Sequence, residues 1–417
     1  MQITYKFRLY PNAEQEQNLL WTLDKCRLVY NDMLEGMNEQ ENPDRLELQN
    51  SILELKEKYP ELKGVYSKVL QYEVYRLFSN LGSLSELKKK GRKVGRLRFK
   101  SKGWFKTFTY NQSGFKIIKT DNRLDKLHLS KIGDISIRMH REIEGEIKQI
   151  TIKHKQTGEW FAFITTSIEI EIEAETEIET ENEEMGWKKE NKLIQNPVGI
   201  DVGIESFSTD SEGRKIENPR YYKKKLKKLK EEQKKLSKKQ KKSKNRNKQK
   251  KKVAKVSEKI VNQRDDFLHK LSRSYVDNYK VIAVENLNIK GMSRNHHISQ
   301  SILDCSWSRF IQYMEYKAER ADISVIKVNP KNTSQTCSEC GRELEEHLSL
   351  SDRTFRCPEC GAEADRDINA SRNILRIALE KLPQGLREVT PVEIGPLQKL
   401  ETISASSIIE TGSLFQN

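Results

Sequence analysis

The chain has 417 residues, which is long for one domain and suits two or three. It carries 76 Lys+Arg against 61 Asp+Glu, a net charge of +15, so its natural partner is a polyanion, most simply nucleic acid. No apolar run reaches bilayer-spanning length, and the opening MQITYKFRLY lacks the apolar stretch of a signal peptide, so a soluble, cytoplasmic protein is expected.

Residues 2–9 alternate as a strand, and Pro11 ends it with Asn12 placed to cap a helix. Apolar residues at helical spacing follow, from Leu19, Leu23 and Val29 to Val69, Tyr72 and Leu77, so the first 90 residues are mostly helical. From Gly91 the texture changes. GRKVGRLRFKSKGWFKTFTY interleaves Arg98 and Lys100 with Trp104, Phe105, Phe108 and Tyr110, a mixture suited to phosphate contacts and base stacking, or to ordinary strands with aromatic residues turned inward. KLHLS, ISIRMH, IKQITIKH and WFAFITT then repeat with period two, which predicts an antiparallel sheet or barrel of about five strands.

Residues 169–184 are an acidic low-complexity run and read as a solvated linker. NPVGIDVGIESFSTD beyond it reads as strand, tight turn and strand. The Lys-rich block after it holds Leu226, Leu229 and Leu236 in one helix and Val253, Val256, Ile260, Phe267 and Leu271 in another. A break near Ser243–Asn247 makes a helical hairpin whose other face, with Lys223, Lys224, Lys227 and Lys228, seeks an anion. KVIAVENLNI is a buried-type strand, residues 306–321 an amphipathic helix, and ISVIKVNP a further strand.

Four of the six cysteines form two CxxCG knuckles, Cys337 with Cys340 and Cys357 with Cys360, separated by sixteen residues. Four thiolates with no spare position predict a closed tetrahedral site for structural Zn. Cys26 and Cys305 stand alone and read as small core residues, and the adjacent His296 and His297 read as loop. Neither a phosphate-binding GxxxxGK[ST] loop nor a GxSxG elbow occurs.

Three acids are attached to buried-type elements. Asp201 lies amid Val198, Ile200, Val202 and Ile204, Glu285 ends VIAVE, and Asp365 or Asp367 opens a helix whose Ala370 and Ser371 permit close packing on a sheet. Converged, they would hold two Mg or Mn ions for phosphodiester cleavage.

GIDVGIESF, VIAVENLNI, NTSQTCSECG, RCPECG and ADRDINASRNIL together resemble the TnpB family of transposon-encoded proteins, also called OrfB-type transposases. FRLYPNAEQEQNLLWTLDKCRLVYN at the start and SWSRFIQYMEYKAERADISVIKVNP are similar to it as well, and the likeness extends to about residue 380. The resemblance implies a multidomain α/β protein acting as an RNA-guided DNA endonuclease related to type V CRISPR effectors. Its RuvC-like, RNase H-type domain would span 196–333 and 364–382, with a basic hairpin at about 220–275 and a zinc ribbon inserted at 334–363. The catalytic triad would be Asp201, Glu285 and Asp367. Residues 1–10 and 91–168 would form a wedge-type β-barrel, 11–90 a helical recognition lobe, 169–195 the acidic linker and 383–417 a flexible tail. The implied partners are a guide RNA from the transposon end and double-stranded target DNA read beside a short flanking motif. An RNA-guided repressor without nuclease activity and a conventional transposase are the competing readings.

Overall fold

The computed structural model describes residues 2–40, 42–168, 196–346, 348–349, 352–382 and the strand Thr402–Ile403. The expected acidic linker at 169–195, apart from its neighbours on either side, and the remainder of the tail at 383–417 lie outside these residues. The chain divides into two units, Met1–Glu181 and Asn182–Asn417.

In the first unit, β1 (Gln2–Tyr10) leads into α1 (Ala13–Glu39). Asn12 and Gln15 form a reciprocal capping box: the Asn12 side chain accepts from the Gln15 N–H at 2.8 Å, and the Gln15 side chain accepts from the Asn12 N–H at 3.0 Å. α2 (Arg45–Asn50), α3 (Ile52–Lys58), a 3₁₀ turn (Pro60–Gly64) and α4 (Ser67–Lys89) complete the helical part. Residues 92–106 carry no regular structure beyond one turn. Then come β2 (Thr107–Asn111), β3 (Phe115–Ile118), β4 (Asp125–Leu129), β5 (Gly133–Arg138), β6 (Glu146–His154) and β7 (Trp160–Ser167). With β1 they form a seven-stranded antiparallel sheet in the order β2-β6-β7-β1-β5-β4-β3.

The period-two pattern is realised strictly in β7, where every second residue from Trp160 onward is buried. Residues 107–167 supply six strands where the pattern suggested about five, and with β1 the ladder ends at β2 and β3 instead of closing into the expected barrel. The chain leaves β2 through Gln112 and Gly114, both at positive φ, and the Gln112 N–H bonds to the carbonyl of Lys148 beyond the β2 ladder. That turn directs β3 to β4 and away from β2. Inside this unit, buried Glu73 lies 3.1 Å from Arg76, which also donates to Thr107 Oγ1 and its carbonyl at 3.2 Å. Burial pushes the Glu73 carboxyl up to about 8, with Arg76 opposing. Cys26 lies in this core.

The second unit is built on β8 (Pro197–Val202), β9 (Ser206–Asp210), β10 (Lys215–Glu217), β11 (Val281–Glu285) and β12 (Ser324–Val328). Between β10 and β11 run α5 (Tyr221–Ser237) and α6 (Lys244–Asn278), and between β11 and β12 run α7 (Ile289–Met292), α8 (Ser299–Cys305) and α9 (Trp307–Arg320). A small hairpin, β13 (Thr354–Arg356) and β14 (Glu363–Asp365), precedes α10 (Arg366–Glu380), and β15 (Thr402–Ile403) follows. The sheet order is β12-β11-β8-β9-β10-β15. β8 and β11, and β11 and β12, are parallel, while β9 is antiparallel to β8. The stretch predicted as flexible tail therefore contributes one parallel strand beside β10.

All five residues of β11 are buried, as a central parallel strand covered on both faces requires. Phe207, Phe267, Tyr275 and Phe310 pack on one face with α6 and α9, and Ile374 and Ala378 of α10 pack with Ala283 and Val328 on the other. Cys305 belongs to the first of these cores. The hairpin turn of α5 and α6 falls at 238–243, earlier than expected, because Ser243 caps α6 by accepting from the Arg246 N–H. Among the described residues no helix is long and apolar enough to cross a membrane.

Candidate metal centre and acidic cluster

The two knuckles have the same backbone build. The Cys337 N–H donates to the Arg342 carbonyl and the Gly341 N–H to the Cys337 carbonyl; Cys357, Ala362 and Gly361 repeat these bonds at the same lengths, 2.8 and 3.0 Å. Gly341 and Gly361 sit at φ +77° and +73°, the left-handed conformation that such a turn needs. Sγ of Cys337 lies 3.7 Å from that of Cys360, and Sγ of Cys340 lies 3.5 Å from that of Cys357. All four sulfurs fall within 4.8 Å of one another. Bonds of about 2.3 Å to a tetrahedral zinc ion set sulfurs roughly 3.8 Å apart, so the donor set fits such an ion. The crowded sulfurs split one another: backbone amides of Cys360 and Glu359 draw the Cys357 thiol down to about 7, while Cys340 and Cys360 are pushed up.

α10 holds this cluster through two buried asparagines. Asn369 accepts from the Ser338 N–H at 2.9 Å and donates to the Thr336 carbonyl at 2.7 Å. Asn373 donates to the carbonyls of Thr333 and Thr336 at 2.9 and 2.6 Å. Thr333 in turn donates its hydroxyl to Glu285 Oε1 at 2.6 Å. A continuous chain of hydrogen bonds thus runs from α10 through the base of the first knuckle to an acid at the end of β11.

That acid has neighbours. In the parallel pair, Val284 is in register with Ile200, so Glu285 and Asp201 are the next residues along at the carboxyl ends of adjacent strands. Open α/β sheets place their ligands at such strand ends. α10 lies directly on β8: a Cβ added to Gly199 would stand 2.1 Å from the Ser371 carbonyl oxygen and 2.8 Å from the Leu375 nitrogen. Ala370 and Ser371 are buried in this contact. Close approach brings the start of α10, with Asp367, toward the same strand ends.

The charges register this arrangement. The Asp201 carboxyl is held well above its ordinary range by burial first, then by Glu285 and Asp367, with Arg366 opposing. Burial raises Glu285, with the Thr333 hydroxyl opposing. Burial and then Asp365 raise Asp367, with Lys215, Arg353 and Arg366 opposing. Asp365 is differently employed: its Oδ1 caps α10, accepting from the Asp367 and Ile368 N–H groups at 3.0 and 3.3 Å, and its Oδ2 lies 2.6 Å from Lys215 Nζ. Arg353 Nη1 approaches Asp367 Oδ2 at 4.0 Å and pairs with Glu205. Among the described residues no group of three or more His, Cys, Asp or Glu other than the cysteines is drawn into a common metal cage. Asp201 thus feels the charges of Glu285 and Asp367 without the three being closed on one point.

Lys223, Lys224, Lys227 and Lys228 are exposed along α5, Arg98 is exposed and Lys100 is half-buried in the first unit. His296 and His297 are exposed on a turn after α7. Thr333, Asn369, Asn373, Lys215 and Gly199 carry the site but were not singled out from sequence. Four of them lie within or beside quoted motifs (NTSQTCSECG, ADRDINASRNIL and PVGIDVGI), which was the signal available.

Comparison with known proteins places the chain. Residues 169–296 match the model of a family described as "Probable transposase", residues 307–374 that of a Cas12f1-like TNB domain, and residues 1–41 a helix-turn-helix domain associated with the first family. A protein of Escherichia coli (strain K12) named "Putative RNA-guided DNA endonuclease InsQ" is 29% identical over 89% of this chain and 91% of its own length. The "CRISPR-associated endodeoxyribonuclease Cas12f1" of Sulfoacidibacillus thermotolerans is 33% identical over 30% of each chain. A "Putative RNA-guided DNA endonuclease" of Streptomyces pristinaespiralis is 30% identical over 90% of this chain and 89% of its own. With that likeness running nearly end to end, and with the motifs of both knuckles and all three acids in place, the chain belongs to the TnpB family of OrfB-type transposon-encoded proteins.

Proposed function

We propose that this protein is an RNA-guided DNA endonuclease of a transposable element, acting in the prokaryotic cytoplasm on double-stranded DNA beside a short flanking motif, with a guide RNA from the transposon end. The nuclease is a RuvC-like, RNase H-type domain formed by 196–333 and 364–382, and the first unit combines a wedge-type sheet with a helical recognition lobe. Asp201, Glu285 and Asp367 are the ligands of two Mg or Mn ions, and Cys337, Cys340, Cys357 and Cys360 hold one structural Zn. The observation that carries the reading is the placement of three partly or fully buried acids at the carboxyl ends of β8 and β11 and at the start of α10, where Asp201 feels the charges of both others. A cluster of carboxylates is unfavourable in such surroundings unless cations neutralise it.

Paired divalent ions, when bound, supply an activated water and charge at the leaving oxygen. The chain's part is placement. Thr333 fixes one oxygen of Glu285, Asp365 fixes the first turn of α10, and the Gly199 contact sets the depth of that helix. Lysines 223, 224, 227 and 228, with Arg98 and Lys100, are available to backbone phosphates, since none has an ion-pair partner among the described residues.

The test is cleavage by the protein purified with its native RNA. DNA should be cut with Mg²⁺ or Mn²⁺ and not without, and Asp201→Ala should abolish cutting. Cleavage that survives Asp201→Ala would sink the proposal.

A further inference from the structure

Residues 92–106 form a ribbon with seven cations, Arg92, Lys93, Arg96, Arg98, Lys100, Lys102 and Lys106, and no acid. The ribbon lacks helix and strand, yet it is held firmly. Asn31 of α1 clasps the backbone of Lys100 from both sides, accepting from its N–H at 2.8 Å and donating to its carbonyl at 3.0 Å, and Arg27 reaches the same carbonyl at 3.5 Å. Leu97 packs on the core and Phe105 is part of it. Between these anchors, the Trp104 N–H closes a turn on the Ser101 carbonyl at 3.1 Å, with Gly103 at φ +80°, the geometry of a type II turn.

The turn lifts Trp104 out of the protein: it is 68% exposed, and Phe99 on the same ribbon is 58% exposed. Lys100 Nζ lies 5.7 Å from the Trp104 ring centre and 5.9 Å from that of Tyr30. No ion pair joins any of the seven cations to an acid among the described residues, and Asp24, whose charge Lys102 feels, is bound by Arg27 at 2.8 Å. Two large rings kept in water on an anchored backbone, amid uncompensated positive charge, match a ligand with both a flat π-face and a phosphate.

We infer that this ribbon is a binding site for unpaired nucleic acid, with Trp104 as the platform on which one exposed base stacks, Phe99 as a second ring, and the cations of the ribbon on the flanking phosphates. The inference rests on the proposed function only for its ligand class, and adds which part of the nucleic acid the first unit takes: a base free of its partner, not intact duplex.

The experiment uses the full chain, without added divalent ions, and a single-stranded DNA oligomer carrying 2-aminopurine, alone or annealed to its complement. Binding of the single strand should quench the probe and the annealed form should not. Trp104→Ala should remove the quench and weaken binding roughly 5-fold to 100-fold, the loss of one stacked base. Trp104→Phe should keep part of both, while Lys102→Ala should lower the salt slope by about 0.7 and leave the quench at saturation intact. Unchanged circular dichroism of Trp104→Ala establishes that the fold is retained. Wild-type quenching by Trp104→Ala, or equal quenching with the annealed probe, overturns the inference. Neither readout requires cleavage, so an active Asp201→Ala would remove the nuclease reading and leave this result standing or falling by itself.

Discussion

One hydrogen-bond chain links the base of a cysteine knuckle to Glu285, one of three acids, and the sulfur and carboxylate clusters are built differently. The sulfurs converge within 4.8 Å on knuckles whose backbone bonds are self-contained. The acids come from two strands and a helix: Glu285 and Asp367 both raise Asp201, Thr333 donates to Glu285, and Arg353 approaches Asp367. Neutral thiols tolerate close assembly before a metal arrives, whereas hard carboxylates remain open until cations compensate their charge. A closed cluster suits a structural ion, and an open one would leave room for water and phosphate.

The widest separation between the two should appear on metal removal. Cys357→Ser, or stripping by a chelator, should cost the ribbon most of a zinc contribution on the order of 10 kcal/mol. Proteolysis between residues 333 and 382 together with loss of bound zinc checks it. Next, Asp367→Ala should lower cleavage by roughly a thousandfold or more, the loss of several kcal/mol at about 1.36 kcal/mol per decade. Its zinc content and thermal midpoint should remain near wild type. A variant that lost zinc as well would break the distinction between the clusters.

The response to pH should differ in sign with and without magnesium. Asp201, Glu285 and Asp367 are raised, so the metal-free folded state keeps protons that the unfolded chain has released. Metal-free stability therefore declines as pH rises from the ordinary carboxyl range through the raised folded values. Bound magnesium requires ionised carboxylates, so with it stability and cleavage should increase over the same range. Glu73 provides the control. Its carboxyl, near 8 when folded, contributes stability that is present below about 4.5 and lost by about 8. Thermal unfolding of Glu73→Gln should lose that component equally with and without magnesium.

Smaller effects test the scaffold. Gly199→Ala should destabilise the protein by about 1–3 kcal/mol through forced overpacking against the Ser371 carbonyl, and should reduce cleavage by displacing Asp367. Denaturant midpoints and single-turnover rates read the two parts. Asp365→Ala should cost about 1 kcal/mol of stability as a lost cap and should lower cleavage far less than Asp367→Ala. Cleavage lost in Asp365→Ala at undiminished stability would exchange the roles of the two aspartates.

The sequence disclosed what is local. The CxxCG spacing with its glycine defines each knuckle within five residues, and the capping residue Asn12 lies three positions from its partner Gln15. Apolar flanks marked Asp201 and Glu285 as acids in the wrong surroundings. Less was legible in the sheets: β1 joins β7, more than 150 residues away, and no period-two pattern states which strands pair or whether their ladder closes. The hairpin turn at 238–243 was misplaced because Lys-rich helix and Lys-rich turn look alike until Ser243 is seen capping α6.

By itself, then, the amino-acid order determined the two knuckles, the basic character, the helical and strand stretches and the identity of the unusual acids, since each depends on neighbours along the chain. Tertiary structure alone decided that Gly199 admits α10, that Asn373 and Thr333 link a knuckle to Glu285, and that Asp365 caps while Asp367 faces Asp201 in charge. Those contacts join segments up to about 170 residues apart, and only folding fixes which distant groups meet and which charges must share one small volume.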